Sequence, residues 1–252
     1  MLIGYPWDIR PVRNPLRGLR ISTKDNQVEH EMISGAVRTT GRPNTPRRWS
    51  ASWVNLSDSD ARWLRYLYRR SGGPGPVVVI DAATRNFQPP AASLGRGRPD
   101  QWAPSSGTIA AQTDLSNLWS GGAAGAELTW RHPVWGRWPV SPGLVFSFRH
   151  NATGATAGVA FYTRAGTAMY GVNSSGMGIS VTPPAGAVWV RPYLVKTGAG
   201  ALTVPESCIR YESEIGASWG DGEHCAAMTL RNPSEAIQVL PLRDLTLDLL
   251  EM

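Results

Sequence analysis

Between Trp49 and Trp53 apolar and polar residues alternate, with Trp49, Ala51 and Trp53 set against Ser50 and Ser52. Such a period of two predicts a half-buried strand. The period then changes. Ala61, Leu64, Leu67 and Tyr68 recur at helical spacing with Trp63 beside them, which predicts a short amphipathic helix. Ser57 is a good N-cap, Asp58 and Asp60 fall where the helix dipole favours negative charge, and Arg69 and Arg70 where it favours positive charge. Gly72, Gly73 and Pro74 stop it. Val77, Val78, Val79 and Ile80 form a continuous β-branched run, the pattern of a buried strand. Upstream, 18–21 and 33–37 are expected as strands and 41–46 as a turn.

Residues 81–99 are rich in Pro, Gly and Arg without periodicity, and are expected to be a linker ending near residue 100. From Trp102 to about residue 212 the texture is different. Short β-like runs recur at 128–130, 143–148, 157–162, 178–181, 187–190 and 208–211, separated by Gly, Ser, Asn or Pro. That spacing predicts a β-sandwich of about 110 residues. The end of the chain returns to strands at 228–230 and 245–250. The expected organisation is therefore mainly β, in three segments: 1–99, 100–212 and 213–252.

Composition is that of a folded protein: 42% of the 252 residues are hydrophobic and 17% charged. No apolar run approaches the ~20 residues that span a bilayer, so no membrane partner is expected. The first residues, MLIGYPWDIRPVR, lack the basic-then-apolar order of a secretory signal. The net charge of +6 is unevenly spread: residues 1–98 carry net +9, 99–204 net +3 and 205–252 net −6. A basic first part and an acidic tail attract each other, or the opposite part of a neighbouring copy. The arginines are dispersed, with none of the basic blocks or modules of nucleic-acid readers, so no specific nucleic-acid partner is expected. Cys208 and Cys225 have no CxxC spacing. They are expected as reduced structural thiols, with a disulfide as the alternative for a protein that ends up outside cells.

No catalytic, cofactor or metal constellation emerges, and an enzyme is not expected. His30, His132, His150 and His224 are isolated from one another, and His30-Glu31 is not followed by a second His at zincin spacing, as expected of surface or internally satisfied histidines. Gly216, Ser218 and Gly220 match G-x-S-x-G, but Asp221, Glu223 and His224 follow at once, with no room for the helix and separate triad of a nucleophile elbow. The one concentrated patch is Trp130, Arg131, Trp135, Arg137 and Trp138. Core tryptophans combined with an inter-subunit contact are the first reading of it. The second is a glycan site, in which Trp stacks on sugar rings and Arg donates to hydroxyls or carboxylates.

The 49–53 strand, the helix with Leu64 and Leu67, the turn Gly73, Pro74, Gly75 and Pro76, the strand to Ile80 and Asp81, and then Arg85 and Asn86 resemble the N-terminal region of distal or minor tail proteins from siphophages of actinobacteria. The closing run 243–251 is similar to that family's acidic final strands, and 102–212 resembles the galactose-binding-like jelly rolls inserted in such proteins, notably at 181–192 and 209–212. The resemblance implies a tail-tube-like split β-barrel with one short α-helix plus an inserted β-sandwich (jelly roll). It implies a homo-oligomeric ring, expected as a hexamer, at the tail tip of a virion assembled in the host cytoplasm. The implied partners are the tail tube protein and the tip or hub proteins, with a host cell-surface glycan as a further one. No catalytic residue is implied. The alternative function is a carbohydrate-binding adhesin module that mediates attachment to the host surface.

Overall fold

The computed structural model describes the chain except residues 16–18, 24–26, 32–36, 42–46, 82, 212, 224, 226, 240 and 241, and describes the backbone alone at 19, 21, 23, 27–31, 37–41, 238 and 239. The fold is mainly β, and the described strand pairs are antiparallel. The chain divides into two compact units, Met1–Pro11 with Val78–Ala226 and Val12–Val77 with Ala227–Met252.

In the second unit four strands lie in the order Ala227–Val239, Leu242–Glu251, Arg47–Leu56 and Leu19–Thr23. Strands from distant parts of the chain thus share one sheet, in the register Trp49 to Leu249, Ala51 to Leu247 and Trp53 to Leu245. All six of these side chains are buried, as the alternation at 49–53 requires. The helix Asp58–Tyr68 begins at Ser57, whose hydroxyl accepts the Asp60 N–H at 3.1 Å. It buries Ala61, Trp63, Leu64 and Leu67. Arg69 and Arg70, expected in its last turn, lie just past it: Arg69 is the C-cap and Arg70 takes a left-handed φ of 55°. Arg65 is the basic residue of that turn. A hairpin pairs Gln27–Glu31 with Val37–Gly41. The strand expected at 33–37 and the turn at 41–46 fall largely outside the described residues.

The opposite charges of the chain's two ends meet within this unit. Arg48 pairs with Asp248 at 2.5 Å, Arg65 with Glu235 at 3.1 Å, and Arg243 with both Glu235 at 2.9 Å and Asp58 at 3.3 Å. Asp248 also accepts from Ser50 Oγ at 2.6 Å and Asn232 Nδ2 at 2.7 Å. The hydrogen bond from Arg48, then that from Ser50, holds its carboxyl down at about 2. A carboxylate whose folded pKa lies below its ordinary value stabilises fully above pH ~4, and that contribution is lost as pH falls toward the folded value. Asp248→Asn is expected to cost about 1–2 kcal/mol at pH 7, since Arg48 is half exposed. Urea titration at pH 7 and pH 2.5 checks it: the difference between the two proteins should shrink at the lower pH.

The first unit is the sandwich. Its larger sheet runs Ala168–Asn173, Ala155–Tyr162, Trp189–Lys196, Glu127–Trp130, Trp102–Pro104, with Trp138–Pro139 also paired to Trp189–Lys196. Against it packs the sheet Gly178–Val181, Phe146–His150, Ser207–Tyr211. Trp130 of one meets Phe148 of the other with ring centroids 5.0 Å apart. Phe146, Phe161, Leu128, Val190 and Leu194 complete that core. A third small sheet joins Leu202–Thr203, Asn117–Ser120 and Thr108–Ala111. Leu2–Tyr5 pairs with Asp8–Pro11 and with 78–80.

The two compact units divide at 11/12, 77/78 and 226/227, which leaves residues 81–99 with the sandwich strands. The reason lies in the contacts of this expected linker. Asn86 is buried, donating to the Ser207 carbonyl at 3.1 Å and accepting from the Ile209 and Gln88 N–H groups at 3.2 Å. Phe87 packs edge-on against Tyr211 at 4.9 Å. On the far side of the sandwich sequence, Glu223 N–H donates to the Asn86 carbonyl and Gly222 N–H to Ser93 Oγ. The first flank is therefore fastened to the Ser207–Tyr211 strand and the second flank to the first, by hydrogen bonds that leave no periodic trace in a sequence.

Candidate functional site

The period of two along Glu127–Trp130 and into Arg131 divides the aromatic and basic patch. Leu128 and Trp130 face the core, where Trp130 Nε1–H donates to Ser207 Oγ at 2.9 Å. Glu127, Thr129 and Arg131 line a cleft instead. Trp138 is also buried. Its strand Trp138–Pro139 continues the same sheet, and its ring meets His132 edge-on at 4.8 Å. Two of the three tryptophans are therefore core residues and offer no face to a sugar, a correction to the glycan reading of Trp130 and Trp138. Trp135 is half-buried, stacked on His132 at 4.5 Å and tilted toward Trp189 at 6.2 Å.

His132 organises the turn that carries these residues. Its Nδ1 accepts the N–H groups of Val134 at 3.1 Å and Trp135 at 3.3 Å. The proton must then sit on Nε2, which donates to the Cys225 carbonyl. Burial pushes its pKa down to about 3, so this is the internally satisfied histidine that isolation in the sequence suggested. His150 is likewise buried and held down to about 4, with Nδ1 accepting from Ala152 N–H at 3.2 Å. The side chain of His30, and His224, lie outside the described residues.

Arg131 and Arg137 converge with Arg191 on a cleft of about 270 Å³ whose other polar walls are Glu127, Thr129 and Ser105. Arg191 pairs with Glu127 at 3.5 Å. The Arg137 guanidinium carbon lies over Tyr162, 4.1 Å from the ring centroid, and the group donates to the Gly166 carbonyl at 3.4 Å. Gly166 has φ +85°, and a Cβ there would come within 3.0 Å of that guanidinium, so the turn needs glycine both for its backbone and for the seat of Arg137. Arg131 is exposed and forms no ion pair among the described residues. The cleft thus sets three guanidinium groups against one carboxylate. Guanidinium is a planar, permanently charged fork that matches the geometry of carboxylate and phosphate.

Arg131 and Arg137 were visible in the sequence as part of the patch. Glu127 and Arg191 were not, because they arrive from another position of the same strand and from a strand some fifty residues later. The signal that could have found Arg191 is its place between Val190 and Pro192 in the mainly apolar run 187–195. A second cleft, of about 560 Å³, is lined by Arg85, Arg210 and Trp219 together with the exposed Ser218. Ser218 stands in a stretch with neither strand nor helix around it, so the G-x-S-x-G spacing forms no elbow. Cys208 and Cys225 are both buried, and burial pushes the Cys208 thiol up to about 12. Among the described residues no group of three or more His, Cys, Asp or Glu could hold a metal ion, and no helix is long and apolar enough to cross a membrane.

No protein-family model matches the chain, and no curated protein does. Solved structures are similar over part of it. The structure of accessory secretory proteins 1, 2 and 3 from Streptococcus pneumoniae matches at 14% identity and a TM-score of 0.39, covering 54% of this chain and 100% of that one. The enzymatically active domain of tailspike protein 4 from bacteriophage CBA120 matches at 18% identity and a TM-score of 0.35, covering 50% of this chain and 21% of that one. The glycosylation-associated Gap123 complex from Streptococcus agalactiae matches at 16% identity and a TM-score of 0.34, covering 46% and 43% respectively. Likeness at this level carries no argument about function.

Proposed function

We propose that the chain is a structural virion protein, a distal or minor tail subunit that forms a ring joining the tail tube to the tip complex. The observation that carries this is the split sheet. Arg47–Leu56 hydrogen-bonds to Leu242–Glu251 across nearly two hundred residues of sequence, and the capped helix Asp58–Tyr68 follows the first of these strands. That is the arrangement expected of a tail-tube-like scaffold interrupted by an insertion. The strand Ala227–Val239 also presents an exposed run from Arg231 to Ile237, in which Ile237 is 58% exposed. A ring needs one such surface to fit a different surface of the next copy, a head-to-tail contact that closes by rotation. Light scattering with negative-stain imaging tests the proposal: the purified protein is expected to form rings, alone or on addition of tail tube protein. A monodisperse monomer under both conditions would overturn it.

A second reading, a carbohydrate-binding adhesin module, draws on the Arg131, Arg137 and Arg191 cleft of the sandwich. The two are compatible in one chain, since the split unit would supply assembly and the sandwich attachment.

A further inference from the structure

We infer that the cleft between Glu127, Arg131, Arg137 and Arg191 binds the acidic group of an anionic polysaccharide, a sugar-borne carboxylate or phosphate. This rests on the second reading above, that the sandwich carries attachment, and assigns to it both a site and a class of ligand.

Charge selects the class. Three guanidinium groups face one carboxylate, and only Arg191 is engaged with it, at 3.5 Å. Arg137 is held in place by the Tyr162 ring and the Gly166 carbonyl, neither of which neutralises it. The ring's fixed quadrupole and a single carbonyl orient the fork without consuming its charge, so the site is organised before a ligand arrives. A neutral sugar would leave the charges of Arg131 and Arg137 in the cleft without a counter-charge. An anion supplies that counter-charge, and charge-assisted hydrogen bonds to it are stronger than bonds to hydroxyls.

Size and walls narrow the class further. A volume of about 270 Å³ lies below the ~300–1,000 Å³ of sites that enclose a drug-sized molecule, and suits one sugar residue. The floor combines small residues, Ala103 and Pro104, with Thr129 and Ser105. Ser105 Oγ is already an acceptor, for Glu127 N–H at 2.8 Å, which leaves its own O–H to donate to a sugar oxygen. The cleft lacks the row of stacking aromatics by which single-stranded nucleic acid is held. Because the acid group recurs along a polysaccharide, an oligomer presenting several copies of a weak site would bind it with avidity.

The test is calorimetry on the full chain with a panel of acidic hexasaccharides (uronate, sialate and glycerol-phosphate), each against its carboxyl-reduced or dephosphorylated counterpart, with single-stranded DNA alongside. At least one acidic member is expected to bind, with removal of its acid group costing about tenfold or more. Arg131→Gln with Arg137→Gln should lower that affinity by about 30-fold or more while the melting temperature stays unchanged, and Gly166→Ala should lower it through Arg137. Trp219→Ala, in the other cleft, should leave it unaltered. Whether carboxylate or phosphate members bind distinguishes the two sources of the anion. Equal binding of acidic and neutral forms, or indifference to the arginine pair, would overturn the site while leaving glycan attachment standing. Binding of no member of the panel would overturn both, as would DNA binding through the same arginines without glycan binding.

Discussion

Trp130→Ala is expected to destabilise the sandwich unit by about 3–5 kcal/mol, the range for deleting a large buried aromatic. Trp130 is 2% exposed, packs on Phe148 across the two sheets and hydrogen-bonds Ser207 Oγ at 2.9 Å. Its removal therefore opens a cavity at the centre of the core. The Ser207 hydroxyl is not stranded, because Gln88 still donates to it at 3.0 Å, so the loss is mainly one of packing. At about 2–4 °C per kcal/mol for a domain of this size, the melting temperature should fall by roughly 10–15 °C. Trp135→Ala, at a half-buried position, should cost only about 1 kcal/mol. Urea unfolding of both variants separates a core patch from an exposed sugar platform. A Trp130→Ala loss no larger than that of Trp135→Ala would place Trp130 outside the core.

Mild acid is expected to destabilise the same unit before carboxylates titrate. His132 and His150 are neutral in the fold, with burial holding their pKa values down to about 3 and about 4. In the unfolded chain each titrates near the ordinary value of about 6.5. Below that pH the unfolded state binds more protons than the folded one, so stability falls with decreasing pH. The contribution is fully present above pH ~7 and is lost progressively as pH drops from ~6.5 toward the folded values. At pH 5 each histidine should cost about 2 kcal/mol, together about 4 kcal/mol relative to pH 8. Urea titrations at pH 8, 6.5 and 5 check this, and His132→Gln should reduce the slope by about half. Equal stability at pH 8 and pH 5 would show that neither imidazole is buried as described.

How the charges are arranged decides whether the chain's ends work within one copy or between copies. The sequence left both possibilities open. Arg48 with Asp248 and Arg65 with Glu235 show that part of the complementarity is satisfied within the chain. Ring contacts would therefore draw on what remains, including the exposed Arg231 to Ile237 run. Lys196 makes a related point in the sandwich. Buried over the Trp119 ring at 4.5 Å and donating to the Gly122 carbonyl at 3.2 Å, it is an internal cation whose partners are backbone oxygens and an aromatic face.

By itself the sequence determined the features set by neighbours along the chain. Ser57 and the 3.6-residue spacing placed the helix, the alternation at Trp49, Ala51 and Trp53 placed a half-buried strand, and the recurring short β-like runs placed six of the twelve strands between Trp102 and Tyr211. Strands with little buried apolar content, such as the largely exposed Ala168–Asn173, left no such pattern. The tertiary structure alone decided what depends on residues far apart in sequence. It made 81–99 part of the sandwich through Asn86 and Phe87, because side-chain hydrogen bonds to Ser207 and Ile209 follow no period. It sent Trp130 and Trp138 inward, and it gathered Arg131 and Arg137 with Arg191. Period and capping are local and survive in one dimension. A cleft formed by two strands that pair some sixty residues apart exists only once the register between them is set.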